Sequence, residues 1–143
     1  MITKLSVTSV FVLDKEEALD FYVNKLGLEV GQDFKQGSYR WLTVRVPGQP
    51  GTEISLEEPG PPAQDEATAA QIRELITKGA LGGAVFEADD VRGLYETLKK
   101  RGVTDFMQEP TDHFYGTDMA VRDPYGNAIR ILQAKKVAQD AKA

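Results

Sequence analysis

The sequence predicts an α+β fold made of two βαβββ modules. Three observations carry that prediction: the chain repeats itself once, its apolar residues alternate in short strand-like runs, and each copy holds one capped helix. The first copy, "SVTSVFVLDKEEALDFYVNKLGLEV", opens with an alternating strand over 6–12. Asp14 follows as a helix N-cap, with Glu17 at capping-box spacing. Ala18, Leu19, Phe21, Tyr22 and Leu26 recur with helical period, and Gly27 is the stop. The second copy, "GGAVFEADDVRGLYETLKKRGVTDF", begins seventy-odd residues later. It predicts a strand over 83–88, a cap at Asp90, an apolar stripe of Val91, Leu94, Tyr95 and Leu98, and a stop at Gly102.

Three more strands complete each copy. "LEV" corresponds to "VTDF", "RWLTVRV" (40–46) to "TDMAVRD" (117–123), and "GTEISLEE" (51–58) to "GNAIRILQ" (126–133). One such sheet cannot cover itself, so the two modules are expected edge to edge with helices on the outer face. The same order excludes a doubly wound parallel sheet. The reading gives one domain over 1–143: module 1 at 4–58, a linker at 59–81, module 2 at 82–133 and a tail at 134–143. The linker combines the turn-rich "PGPPAQ" with a helix from Glu66 to Lys78, whose apolar face is Ile72, Leu75 and Ile76 and whose stop is Gly79. The tail "KKVAQDAKA" is expected to fray.

Composition narrows the function classes. The chain has no cysteine, which removes disulfides, thiolate metal sites and a cysteine nucleophile. A net charge of -5 argues against nucleic acid and anionic membrane surfaces, since both call for clustered Lys and Arg. No apolar run reaches the length of a membrane span, and the N-terminus lacks a basic start followed by an apolar block. A cytoplasmic protein is expected.

The stretches "VFVLDKEEALDFYVNKLGLEV", "AVFEADDVRGLYETLKKRGV" and "FYGTDMAVRDPYGNAIRILQ", in that order and spacing, resemble the vicinal oxygen chelate superfamily. That superfamily holds glyoxalase I, bleomycin-resistance proteins, fosfomycin-resistance enzymes and extradiol dioxygenases. The resemblance implies curved mixed sheets forming a cup, helices outside it, and a homodimer. It also implies metal ligands, typically His on the first strand and Glu on the fourth strand of each module. Carried onto this chain, those positions fall on Val7, Ser55, Gly83 and Arg130. None offers the imidazole or carboxylate lone pairs that a divalent ion needs. No metal and no cofactor is therefore expected.

Strand alternation assigns Val10, Val12, Leu42, Val44, Ile54, Leu56, Ala84, Phe86, Ile129 and Ile131 to the core. The opposite faces carry Val7, Ser9, Phe11, Trp41, Thr43, Arg45, Glu53, Ser55, Glu57, Val85, Glu87, Ala120, Arg122 and Arg130. The candidate ligand-binding residues are Trp41, Arg45, Glu57, Glu87, His113, Phe114, Tyr115 and Arg130. Arg130 interrupts an apolar strand, so it faces either a ligand or a glutamate: Glu53, Glu57 or Glu87. Trp41 is either a platform for a flat ligand or a half-buried strand aromatic. His113, the single histidine, cannot build a multi-histidine site, and as a general base it needs a partner. Phe114 and Tyr115 beside it fit ring stacking or loop packing equally. "RDPYGN" reads as a turn without chemistry, and "DKEE" as a solvated helix face. Two functions follow from this pattern. One is a metal-free protein binding or sequestering a small organic molecule. The other is an enzyme of lyase, dioxygenase or transferase type, with metal-free acid–base chemistry or with ligands displaced onto Glu53, Glu57, Glu87, His113 and Asp118.

Overall fold

Each copy of the repeat builds one four-stranded mixed sheet. The computed structural model describes residues 1–135 and divides into two units. The first is Met1–Leu81 with Pro124–Gly126; the second is Gly82–Asp123 with Asn127 onward. In the first unit β1 (Val7–Phe11), β2 (Glu29–Gln36), β3 (Tyr39–Arg45) and β4 (Glu53–Glu57) lie in the order β1-β4-β3-β2. In the second, β5 (Ala84–Glu87), β6 (Phe106–His113), β7 (Gly116–Arg122) and β8 (Ala128–Ala134) lie in the order β5-β8-β7-β6. The shared topology has one cause. A helix carries the chain from the first strand to the far edge, and two antiparallel steps bring it back, so the fourth strand pairs parallel with the first. β2 and β6 each run to eight residues, longer than the short strands expected, and both carry bulges. The tail beyond residue 135 lies outside the described residues, and Ala134, assigned to the tail, belongs to β8.

The helices start where the caps predict. Asp14 Oδ1 accepts from the N–H groups of Glu16 and Glu17 at 2.8 and 3.1 Å and opens α1 (Lys15–Leu19). The helix does not remain α-helical to Gly27. It widens into a π-helical turn over Asp20–Lys25, closed by Leu26 N–H to Phe21 O at 2.8 Å. The wider turn buries the consecutive aromatics Phe21 and Tyr22 together, their rings edge to face at 5.1 Å. Asp65 caps α2 (Glu66–Thr77), and Asp90 caps α3 (Val91–Lys100). In α2, Ile76 is buried as expected, while Leu75 points outward.

Most of the predicted core holds. Val10, Val12, Leu42, Val44, Ile54, Leu56, Ile129 and Ile131 are buried, but Ala84 and Phe86 on the short strand β5 are only half-buried. Thr43, Glu53 and Ser55, expected on the opposite face, are also buried. Their polar groups engage one another and their neighbours: Thr43 Oγ1 donates to Glu53 at 2.9 Å, and the Ser9 and Ser55 hydroxyls pair at 2.8 Å. Among the described residues, no helix is long and apolar enough to cross a membrane.

The turn "RDPYGN" is locked by its own side chains. Asp123 accepts from Asn127 N–H and from Asn127 Nδ2, both at 2.8 Å, and Gly126 takes the positive φ of 76°. Asn127 keeps a negative φ, with its side-chain amide tied back to Asp123. The buried Tyr125, which belongs to the first unit, donates its hydroxyl to Asp14 O at 2.8 Å. Asp14 O also accepts from Ala18 N–H, so removing the phenol leaves no orphaned carbonyl. The phenol also hydrogen-bonds the Glu17 carboxylate, so Tyr125→Phe should lower stability by about 1–3 kcal/mol. Urea unfolding should show a lower midpoint at an unchanged slope.

Candidate functional site

Two polar sites stand out, one in each unit. In the first unit a cleft of about 620 Å³ opens between the ends of β1 and β4, the start of α1, the β2–β3 turn and the segment Pro59–Gln64. Phe11, Leu13, Pro59, Pro61 and Pro62 give it apolar walls. Glu57 sits on the wall with both carboxylate oxygens accepting from Tyr39, at 2.8 and 3.1 Å. Desolvation and the Glu57 carboxylate push the Tyr39 phenol up to about 12, so it stays protonated and donating.

The cations of this cleft are already engaged. Arg40 forks onto Asp33 with two 2.8 Å bonds and also holds Glu16. Lys15, expected on a solvated helix face, is buried. Its ammonium lies 4.8 Å from the centre of the Tyr39 ring and donates to Arg40 O. Four carboxylates, Asp14, Glu16, Glu57 and Glu58, thus line the cleft against two cations that have protein partners.

In the second unit the centre is Asp118, 2% exposed and gripped by four side chains. Oδ1 lies 2.7 Å from Gln108 Nε2 and 2.9 Å from His113 Nε2. Oδ2 accepts from the Tyr115 hydroxyl at 3.0 Å and from Arg130 Nη1 at 3.1 Å. Burial pushes this carboxyl toward the neutral form. The hydrogen bonds from Gln108, Tyr115 and Arg130, with the nearby His113, outweigh burial and hold its pKa below the ordinary aspartate value. His113 and Tyr115 stack at 4.8 Å with nearly parallel rings.

The geometry sorts the candidate residues. Arg130 pairs with Asp118 and not with Glu53, Glu57 or Glu87. The register explains why: Arg130 lies opposite Ala120, and Asp118 is two residues along β7 on the same face. Asp118 was legible by extending the Arg122–Ala120 alternation one step further back. His113 ends β6 and Gly116 begins β7, so Phe114 and Tyr115 form the two-residue tip of a hairpin. Phe114 is exposed at that tip. Arg45 is bound by Glu29 at 2.8 Å, with Glu53 at 3.9 Å. Trp41 is half-buried opposite the exposed Phe34 across the β2–β3 pair and does not line the cleft. Glu57 lines the cleft, whereas Glu87 is exposed on β5. Lys15 and the proline segment were missed because a charged helix start and a turn-rich linker give no periodic signal, and Tyr39 because it opens β3 one residue before the strand expected at 40–46.

The donor set does not suit a divalent metal. Ser55 Oγ is engaged by Ser9, and Arg130 brings a positive charge. At Gly83 a β-carbon would sit 1.8 Å from the Ala128 carbonyl oxygen, so no histidine fits there. Among the described residues, no three His, Asp or Glu side chains converge on a metal position; Glu53, Glu57, Glu87, His113 and Asp118 do not form one.

Asp118→Asn tests the second cluster. At neutral pH the variant should lose on the order of 1.5–3 kcal/mol, since charged hydrogen bonds are replaced. Because the folded pKa is depressed, the aspartate's contribution is complete above its unfolded pKa of about 3.9. It disappears as pH falls through the folded value. Urea unfolding across pH should therefore show a gap between wild type and variant that is largest above pH of about 4 and closes in more acid solution.

Similarities to other proteins agree with this fold. The family model described as Glyoxalase/Bleomycin resistance protein/Dioxygenase superfamily matches residues 4–131. YurT of Bacillus subtilis (strain 168) is 38% identical over 131 residues, covering 91% of this chain and 98% of its own. The crystal structure of UcmS2 superposes with a TM-score of 0.86 at 41% identity, covering 94% of this chain and 100% of that one. TnmS3, an antibiotic binding protein from Streptomyces sp. CB03234, superposes with a TM-score of 0.73 at 29% identity, covering 94% and 98%. On its repeat, its two mixed sheets of the same strand order and these matches, the chain belongs to the Glyoxalase/Bleomycin resistance protein/Dioxygenase superfamily.

Proposed function

We propose that this chain is a metal-free protein that binds or sequesters a small organic molecule, acting as a cytoplasmic homodimer. The observation that carries the reading is the side-chain set Val7, Ser55, Gly83 and Arg130, at the positions where metal-dependent relatives place their ligands. Gly83 has no room for a side chain, and Arg130 is held by Asp118. The first-unit cleft supports the binding half of the reading. Phe11, Leu13 and the prolines offer apolar surface beside a larger set of charged and polar groups, and about 620 Å³ is a volume suited to a small organic ligand. The antibiotic-binding description of TnmS3 points the same way. The acid–base alternative would rest on His113, whose Nε2 is held by Asp118 at 2.9 Å, but Asp118 is also shared by Gln108, Tyr115 and Arg130 and serves as the structural centre of that cluster.

The excess of carboxylates around Glu57 favours a flat ligand with a cationic group. 9-Aminoacridine is a suitable probe. It should bind with changes in the NMR signals of Phe11 and Tyr39. Glu57→Gln should weaken it roughly fivefold, the worth of about 1 kcal/mol for a partly exposed charge pair. Equal affinity for wild type and variant would remove the cleft from the reading.

The homodimer rests on the sheet edges. β1 and β2, and likewise β5 and β6, are edge strands of their own sheets, and such edges are commonly covered by a partner. Light scattering at micromolar concentration should give twice the chain mass; a monomer at every salt concentration would refute it.

A further inference from the structure

We propose that the second-unit face around Arg130 is a recognition site for a carboxylate carried on a flat aromatic molecule. This deepens the small-molecule-binding reading by naming a ligand group, and it rests on residues other than those of the first-unit cleft.

The argument begins with preorganisation. Arg130 is tied through a single nitrogen: Nη1 reaches Asp118 Oδ2 at 3.1 Å and Gln108 Oε1 at 3.4 Å. Among the described residues Nε and Nη2 have no partner, and the side chain is 44% exposed. The Nε–Nη2 edge of a guanidinium presents two parallel N–H groups, the fork that a carboxylate fits. Asp118 cannot swing away, because Gln108, His113 and Tyr115 hold it from the other sides. The guanidinium therefore waits in one orientation instead of being ordered by the ligand.

Its surroundings favour one kind of ligand. Arg130 lies in register with Val85 on one side and Ala120 on the other. Val85 is 69% exposed, so an apolar surface lies beside the fork. Tyr115, on the same carboxylate as Arg130, carries the stacked His113 on one side and Phe114 edge-on at 5.2 Å. Charge also fits. The negative charge of Asp118 is shared among four donors, and Arg122 lies two residues from Ala120 on the same face. Glu87, two residues from Val85 on that face, opposes a multiply charged anion such as a phosphate. A single carboxylate on an aromatic body satisfies all of these features.

The test compares 2-naphthoate with 2-naphthamide, which has the same shape and no charge. Each is titrated to millimolar concentration into the full chain and followed by backbone amide NMR. Naphthoate should shift the signals of Val85, Ala120 and Arg130 and bind at least tenfold more tightly than naphthamide. Arg130→Met should abolish that preference while leaving 9-aminoacridine binding unchanged. Arg130→Lys keeps the charge without the fork, and should retain only part of the preference. Should the Met variant not fold, the Lys variant decides. Equal binding of the two naphthyl compounds, no naphthoate binding, shifts confined to the first unit, or a full preference surviving in Arg130→Lys would each overturn the proposal. The cleft itself is tested separately by the Glu57 substitution with 9-aminoacridine.

Discussion

A carboxylate withdrawn from water must be surrounded by donors, and Asp118 makes that demand on the second unit. Gln108 answers from β6, His113 and Tyr115 from the hairpin that joins β6 to β7, and Arg130 from β8. One side chain thus ties three neighbouring strands together on the face away from Met119, Val121, Ile129 and Ile131. The aliphatic face would tolerate a range of side chains of similar volume. The polar face is far less forgiving, because losing any one donor leaves a buried charge less satisfied.

The first unit solves a related problem differently. Glu53 is its buried carboxylate, and Gln32 Nε2, at 2.7 Å, lowers its pKa most. Burial opposes this, while Thr43 and Arg45 add to the lowering. Gln32 and Gln108 serve the same purpose on corresponding strands, although the acids they serve lie on different strands, β4 and β7. The repeat has kept its backbone plan and redistributed its charges. At the positions where the resemblance expects metal ligands stand Val7, Ser55 paired with Ser9, Gly83 against the Ala128 backbone, and Arg130 held by Asp118.

Much of the fold was legible because it rests on period and punctuation. The caps Asp14 and Asp90, the stops Gly27 and Gly102, and the alternating pairs Leu42/Val44 and Ile129/Ile131 are local signals, and local rules read them. The π-helical turn was not legible, since consecutive Phe21 and Tyr22 also suit a regular helix end. The sites were less readable, because partners across strands depend on register. Arg130 was visibly out of place in an apolar strand, but its choice of Asp118 over three glutamates is decided by the pairing of β7 with β8. Lys15 looked solvated among "DKEE"; its burial depends on the Tyr39 ring, which is brought there by β3.

The central claim is that this member of the superfamily uses its fold to hold an organic molecule without a metal. Native mass spectrometry of untagged protein, taken directly from cells, tests it most directly. The account predicts a chain, or a pair of chains, carrying an organic adduct that is lost on gentle activation, with no mass increment for a metal ion. A stoichiometric increment of zinc, nickel, iron or manganese, removed by a chelator together with a measurable turnover, would contradict it.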